Sequence, residues 1–323
     1  MDEFRLIDMI KQNYYQQSTL IKGIGDDGAV FAQANKDIVT AVDTFVENIH
    51  FTKETMSTFH MGYRSLAASV SDLVAMGALP VFYLVSIIIP KQWKTIDIEA
   101  VFQGMNTFAK KYHMDLIGGD TVSGKEFTIS VTVIGYVSND RIRYRNHAKD
   151  EDIVFATGTL GDSQAGLHTL KNNLTVQNQK YFIQRHRLPE PRVAFIKALS
   201  NIKRLCLNDI SDGIVNELYE IAEASKVNIS IKDHLMPTHK DLAQFSDELM
   251  TQWIYFGGED FELVGTVAKE DWPKVQQIGQ ATNTKVTKIG SVNNQLAKTT
   301  GHVFLMVNDR LKLLKKEGYI HLK

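Results

Sequence analysis

The run SNDRIRYRNHAKDED, residues 138–152, is polar and basic and interrupts a chain that is rich in apolar segments on both sides of it. A single hydrophobic core stops growing at about 250 residues, and this chain has 323. A break of that composition near the middle therefore predicts two domains, residues 1–140 and 141–323. Hydrophobic residues make up 44% of the chain, enough for a core in each half.

The first half alternates between two periodicities. Ile38 to Val42, Val81 to Ile89 and Phe127 to Val137 read as strands. Between them, Tyr63, Leu66, Ala67, Val70, Leu73 and Val74 fall at helical spacing within Phe59 to Met76, with Gly77 placed to end that helix. Ile98 to Tyr112 predicts a second helix. Beyond the break a strand is expected at Ile153 to Thr157 and a helix at Ile214 to Ala224, whose apolar positions make one face. Further strands are expected at Phe261 to Val267 and Val286 to Ile289, and Asn172 to Gln179 reads as a loop. The alternation predicts an α/β chain.

Charge and cysteine usage exclude several functions. With 36 Lys+Arg against 37 Asp+Glu and no long basic stretch, the chain carries no electrostatic footprint for nucleic acid. The single cysteine, Cys206, sits between Leu205 and Leu207 and is expected to be a buried, inert thiol. Phe4, Ile7, Met9 and Ile10 space themselves as an amphipathic helix does, behind an acidic start unlike a secretory signal. The longest apolar stretch, Val81 to Ile89, is too short to cross a bilayer. A soluble cytoplasmic enzyme with no membrane partner is expected.

Two glycine-rich segments imitate nucleotide motifs. Gly23 to Gly28, GIGDDG, matches G-x-G-x-x-G by letter, yet it sets two carboxylates where a pyrophosphate would lie and would repel it unless cations came between. Gly119 to Glu126, GDTVSGKE, approaches a P-loop but places Glu126 where the magnesium-binding hydroxyl belongs. From Phe127 onward the residues alternate as a strand does, whereas a P-loop opens a helix, so no P-loop is expected.

There remains aspartate beside Gly, Ser or Thr at the edges of apolar segments: Asp26 and Asp27, Asp43, Asp72, Asp120, and Asp209 with Asp212. One such pair alone usually marks a turn or a helix cap. Asp72 differs, because its helix face is shared with Ser65, Ala68 and Ser69, small residues where a solvated face would carry charges. If these carboxylates converge, two of them about 4 Å apart repel by roughly 4 kcal/mol at an effective dielectric near 20, so cations are needed. Hard oxygen ligands select Mg²⁺, which completes its shell with water and substrate phosphates. No EF-hand and no His/Cys zinc spacing is present.

GIGDDGAV, VDTFVENIHF, SDLVAMGA, LIGGDT, TGTLGDSQAGL, DISDG and GGEDFEL stand in the order and spacing of the thiamine-monophosphate kinase family, which the chain resembles from about Gly23 to Tyr319. That family belongs with aminoimidazole ribonucleotide synthetase and selenophosphate synthetase. The resemblance implies a two-domain aminoimidazole ribonucleotide synthetase-like fold, α/β (α+β). Its N-terminal sheet forms a homodimer interface, and its C-terminal α/β domain completes an active-site cleft. It implies transfer of a phosphoryl group from ATP, as co-substrate, to thiamine phosphate with several magnesium ions.

By similarity, Asp27, Asp43, Asp72, Asp120, Asp209 and Asp212 hold metal, and all of these but Asp209 count as catalytic. Tyr112, Gly119, Asp120, Arg145 and Ser211 would contact ATP; His50, Glu259 and Tyr319 would contact the thiamine substrate. Taken without the resemblance, Ser211 reads as a cap of the helix near Ile214, Arg145 as a linker charge and Tyr319 as an aromatic anchoring the tail. Where the family often has hydroxyl residues before the second motif's aspartate, this chain has Ala41 and Val42. The rival readings are another ATP-using member of the superfamily, a two-metal phosphohydrolase, and a magnesium-dependent nucleotide sensor without turnover. The reactive cysteine or selenocysteine that selenophosphate synthetases typically carry near the N-terminus has no counterpart before Cys206.

Overall fold

A computed structural model describes residues 20–22, 29–33 and 36–317. The expected N-terminal helix, Asp26, Asp27 and Tyr319 lie outside those residues. Six strands form the first sheet: β1 (Leu20–Lys22), β2 (Ala29–Gln33), β3 (Lys36–Val46), β4 (Leu79–Pro90), β5 (Asp115–Gly124) and β6 (Thr128–Val137), in the order β1-β2-β3-β6-β4-β5. Helices α1 (Thr58–Ala75) and α2 (Thr95–Tyr112) cover one face. β4, α2 and the parallel β5 make a crossover unit. The GDTVSGKE segment runs along β5 and into the turn before β6, as its alternation predicts and a P-loop would not.

Helix α1 begins where the Ser57 side chain accepts from the His60 amide at 3.4 Å. It stops at Gly77, whose φ of 80° opens a left-handed turn. Gly77 N–H donates to the Val74 carbonyl at 3.0 Å and Ala78 N–H to that of Leu73 at 2.8 Å, which satisfies two carbonyls a helix end would leave bare. Along β3, Asp37, Val39 and Ala41 turn inward, whereas Val42 is 61% exposed. Among the described residues the sheet therefore has one face under helices and one that no helix covers, and its outer strand β5 is exposed along its length, with Leu116, Ile117 and Val122 in water.

The second sheet holds β7 (Ile153–Thr157), β8 (Leu205–Asp209), β9 (Ile229–Lys232), β10 (Leu263–Val267), β11 (Val286–Val292), β12 (Val303–Val307) and β13 (Arg310–Leu313), in the order β13-β12-β9-β11-β7-β10-β8. Around it lie α3 (Asp162–Lys171), α4 (Gln179–Arg187), α5 (Val193–Ala198), α6 (Ile214–Ser225), α7 (Asp247–Phe256) and α8 (Trp272–Ala281). β7, β8 and β10 are buried at every position, and Ile153 to Ala156, Leu205 to Leu207 and Leu263 with Val264 are the apolar runs that mark them in the sequence. The expected strand at Phe261 starts two residues late, because Glu259 (φ 72°) and Phe261 (φ 49°) take left-handed backbone that a ladder cannot include. Cys206 is buried, its Sγ 3.3 Å from the Arg145 carbonyl.

One hydrophobic core joins the two sheets' neighbourhoods. It runs from Val39, Leu66, Phe108 and Ile129 to Phe155, Phe195, Leu207 and Leu263. Truncating a buried phenylalanine such as Phe195 costs about 3 to 5 kcal/mol, so the seam between the halves is held by packing and its geometry is fixed. That rigidity places side chains from both halves around a single cleft.

Candidate active site

The cleft has a volume of about 530 Å³. One wall comes from the C-terminal end of β3 and the turn after it, Val42 to Phe45 and Asn48 to Thr52, with Ala68 and Asp72 of α1. The opposite wall comes from Gln164, Leu167 and Lys171 of α3, His186, and the segments Asp209 to Asp212 and Gly258 to Phe261. Seven residues expected from sequence thus share one space: His50, Asp43, Asp72, Asp209, Ser211, Asp212 and Glu259.

Asp43 leaves β3 on the helix-covered face and bonds to Ser69 of α1, and burial pushes its carboxyl above the usual carboxylate range while Ser69 acts against that. Ser69 and Ser65 return their hydroxyls to backbone carbonyls one turn back, at 3.2 and 2.8 Å, so the small-residue face carries no competing charge. Asp72, one turn beyond Ala68, completes that face. Asp209 ends β8 and is only 2% exposed. Beyond it the Ser211 carbonyl accepts from the Glu259 amide at 2.7 Å, and Ile210 N–H donates to the Glu262 carbonyl. Ser211 does not cap α6: the cap position is Gly213, and no side chain bonds there. His50 accepts the Val46 amide on Nδ1 at 3.0 Å and packs its ring edge-on to Phe45.

Four expected residues are not in this cleft. Thr44, Ser130, Ser86 and Asp120 form one register row across β3, β6, β4 and β5. Asp120 therefore stands three strand spacings from Thr44, about 14 Å, and on the sheet face opposite Asp43. Its Oδ1 accepts the Thr121 amide at 2.8 Å. Gly119 is required by close approach, since a Cβ there would lie 1.9 Å from the Val85 carbonyl oxygen. Tyr112 ends α2 against Phe108, its hydroxyl pushed up to about 12 by burial and by Glu190. Arg145 lies behind the cleft wall, with Nε 3.1 Å from Asn208 Oδ1 and Nη1 3.7 Å from Glu220.

Several lining residues carry no signal in the sequence: Asn48, Thr52, Thr55, Gln164, Lys171, His186 and Phe261. Arg64 stands behind them, 3% exposed. For Arg64 a signal exists, because an arginine within the apolar turn Tyr63, Leu66, Ala67 needs a buried partner.

The donor set suits Mg²⁺. Four aspartates line the cleft, yet among the described residues no three metal-binding side chains stand close enough to hold an ion by themselves. That fits an ion taken by one or two carboxylates together with substrate phosphates and water.

Residues 25–137 match the family described as AIR synthase related protein, N-terminal domain. The thiamine-monophosphate kinase of Bacillus subtilis is 44% identical over the whole of both chains. That of Buchnera aphidicola from Schizaphis graminum is 32% identical over 99% of this chain and 98% of its own. The chain belongs to the thiamine-monophosphate kinase family. A solved structure of that family, AaThiL complexed with AMPPCP and TMP, superposes with a TM-score of 0.85 at 28% identity, covering 99% of this chain and 97% of the other. The family membership spans both sheets, so the cleft between them belongs to the architecture of the whole chain. Among the described residues no helix is long and apolar enough to cross a membrane.

Proposed function

We propose that this chain transfers the γ-phosphoryl group of ATP to thiamine phosphate, giving ADP and thiamine diphosphate, as a cytoplasmic homodimer that uses several magnesium ions. The observation that carries this reading is the convergence of Asp43 and Asp72 with Asp209, Ser211, Asp212 and Glu259 in one cleft of a chain that a family member matches over the whole of both. The acceptor is itself a phosphate with a second pKa near 6 and is mostly dianionic at neutral pH. No general base is needed, and none of the lining residues has to be one. The task is to bring two polyanions together in line.

Asp43, Asp72, Asp209 and Asp212, with Asp27 from the GIGDDG motif, would hold the ions. Bound magnesium would supply neutralisation of phosphate charge, so that the two polyanions can approach. His50 and Glu259, with Tyr319, would hold the thiamine end. Asp120, Gly119 and Tyr112 fit this reading through a second copy of the chain. β5 is an exposed edge with Leu116, Ile117 and Val122 in water, and the uncovered sheet face adds Val42. Pairing two such faces buries that apolar surface and brings the partner's β5 toward this chain's cleft. Residues 1–140 would then form the nucleotide and dimerisation domain, and 141–323 the domain that closes the cleft.

The test is incubation with Mg-ATP and thiamine phosphate, followed by chromatography of the thiamine species. Thiamine diphosphate should form in step with ADP. Phosphate release from Mg-ATP alone would indicate a hydrolase, and stoichiometric ATP binding without turnover a sensor.

A further inference from the structure

Arg64 sits in the middle of α1, two turns before Asp72, with its side chain 4% exposed. Its partners all come from the other side of the cleft. Nη2 lies 2.6 Å from Glu259 Oε1, Nη1 donates to the His186 carbonyl, and the guanidinium carbon stands 5.4 Å from the centre of the Phe261 ring. Among the described residues no other cation is within ion-pair distance of Glu259. The Glu259 and Phe261 backbones are left-handed at φ 72° and 49°, held by hydrogen bonds that their amides donate to the Ser211 and Ile210 carbonyls. Those bonds fix the chain and leave the Glu259 carboxylate, 29% exposed, free to rotate unless something grips it.

We propose that Arg64 is the positioning residue that aims Glu259 into the cleft and ties the substrate wall to the helix that bears Asp72. This rests on the reading of Glu259 as a contact of the thiamine moiety. A planar guanidinium can serve a carboxylate, a carbonyl and a ring face at once, which an ammonium cannot. It engages Oε1 and leaves the other carboxylate oxygen of this cleft-lining residue available, as an acceptor for the amino group of an aminopyrimidine or a counter-charge for a thiazolium. It also keeps Glu259 from drifting, since Asp43 and Asp72 across the cleft and Asp209 and Asp212 on its own wall repel its carboxylate. α1 carries both Asp72 and Arg64, so the distance between the metal-binding pole and the substrate wall is set within one rigid helix.

The experiment compares wild-type enzyme with Arg64→Lys, Arg64→Gln, Glu259→Gln and the double variant Arg64→Lys/Glu259→Gln, measuring both Michaelis constants, kcat and melting temperature. Arg64→Lys and Arg64→Gln should each raise the Michaelis constant for thiamine phosphate by roughly tenfold, with that for ATP within about twofold. The double variant should be no worse than the poorer single one, because both changes remove the same interaction. Parallel rises in both constants, a lowered melting temperature with unchanged constants, or effects that multiply in the double variant would each overturn the proposal. Two arginine variants are used so that one that fails to fold leaves the other to decide. If the wild-type enzyme ignored thiamine phosphate the proposed function would fall. If it turned over normally while both folded arginine variants matched it, only the role of Arg64 would fall.

Discussion

Arg145 reaches Asp212 through two intermediates and never enters the cleft itself. Its Nε lies 3.1 Å from Asn208 Oδ1, Asn208 Nδ2 donates to Glu217 at 2.6 Å, and the other oxygen of Glu217 accepts the Asp212 amide at 3.1 Å. Asn208 and Glu217 are buried, so each bond in this chain is made in a poor dielectric and its loss leaves a bare polar group.

Arg145→Ala should therefore loosen the Asp209 to Asp212 segment from behind. The Michaelis constant for ATP should rise roughly tenfold, about 1.4 kcal/mol, and that for thiamine phosphate should stay nearly fixed. Asn208→Ala should do the same, since it cuts the same relay one bond later. Equal constants for ATP in wild type and both variants would mean that the relay is structural only.

Asp43→Asn and Asp72→Asn remove one charge each and almost no volume. Turnover at saturating Mg²⁺ should fall below about a tenth of wild type, a loss above about 1.4 kcal/mol of transition-state stabilisation. Without metal, Asp43→Asn should melt no lower than wild type, because burial already disfavours the charged carboxyl that the substitution removes. A variant that kept its rate would be struck from the metal ligands.

Asp120 allows a sharper test of the shared site, because a single chain puts it on the wrong face of the sheet for Asp43. Asp43→Asn and Asp120→Asn homodimers should both be inactive. Unfolding the two together and refolding them as mixed dimers should restore turnover, since half of the sites in each hybrid would have both carboxylates intact. Mixtures that stayed inactive would place Asp120 in its own chain's site.

The chemistry legible in the sequence is local in the chain. Asp43 at a strand end, Asp72 on a face of small residues and Asp209 with Asp212 between strand and helix each announce themselves through neighbours a few positions away, and the cleft collects them. Lys171 and His186 become functional candidates only through other elements packed on them, a relation no local pattern carries, and for Arg64 the apolar turn signals a buried partner without saying that it lies more than a hundred positions away. The two glycines before Asp120 signal a close approach but do not say to what. At Gly119 the approaching group is the Val85 carbonyl of the neighbouring strand, which depends on sheet order and cannot be read from spacing. The strand expected from Phe261 to Val267 starts late for a similar reason: the left-handed turn at Glu259 and Phe261 is imposed by bonds to Ser211 and Ile210.

His186 predicts the acid limb of stability. It is 1% exposed, its Nδ1 lies 3.3 Å from Ser163 Oγ, and no hydrogen-bond partner meets its Nε2. Burial, then Arg64, Arg187 and Lys171, hold its pKa well below the ordinary 6.5. The unfolded chain therefore binds a proton that the folded chain refuses. Stability from this group is complete above about pH 6.5 and declines as pH falls toward the folded value, by up to about 1.4 kcal/mol for each pH unit. His60 has the same sign, lowered by burial and Arg187, so it contributes acid lability of its own. Melting temperatures measured at several values between about pH 5 and 8 should drop on the acid side for wild type. His186→Asn keeps a polar group near Ser163 and cannot titrate, so its curve should be flatter, with His60→Asn flattening it further. Absolute stability will differ through lost volume, and for that reason the slope is the quantity to compare. A variant whose melting temperature fell with acid as steeply as that of wild type would show that His186 takes up its proton without unfolding.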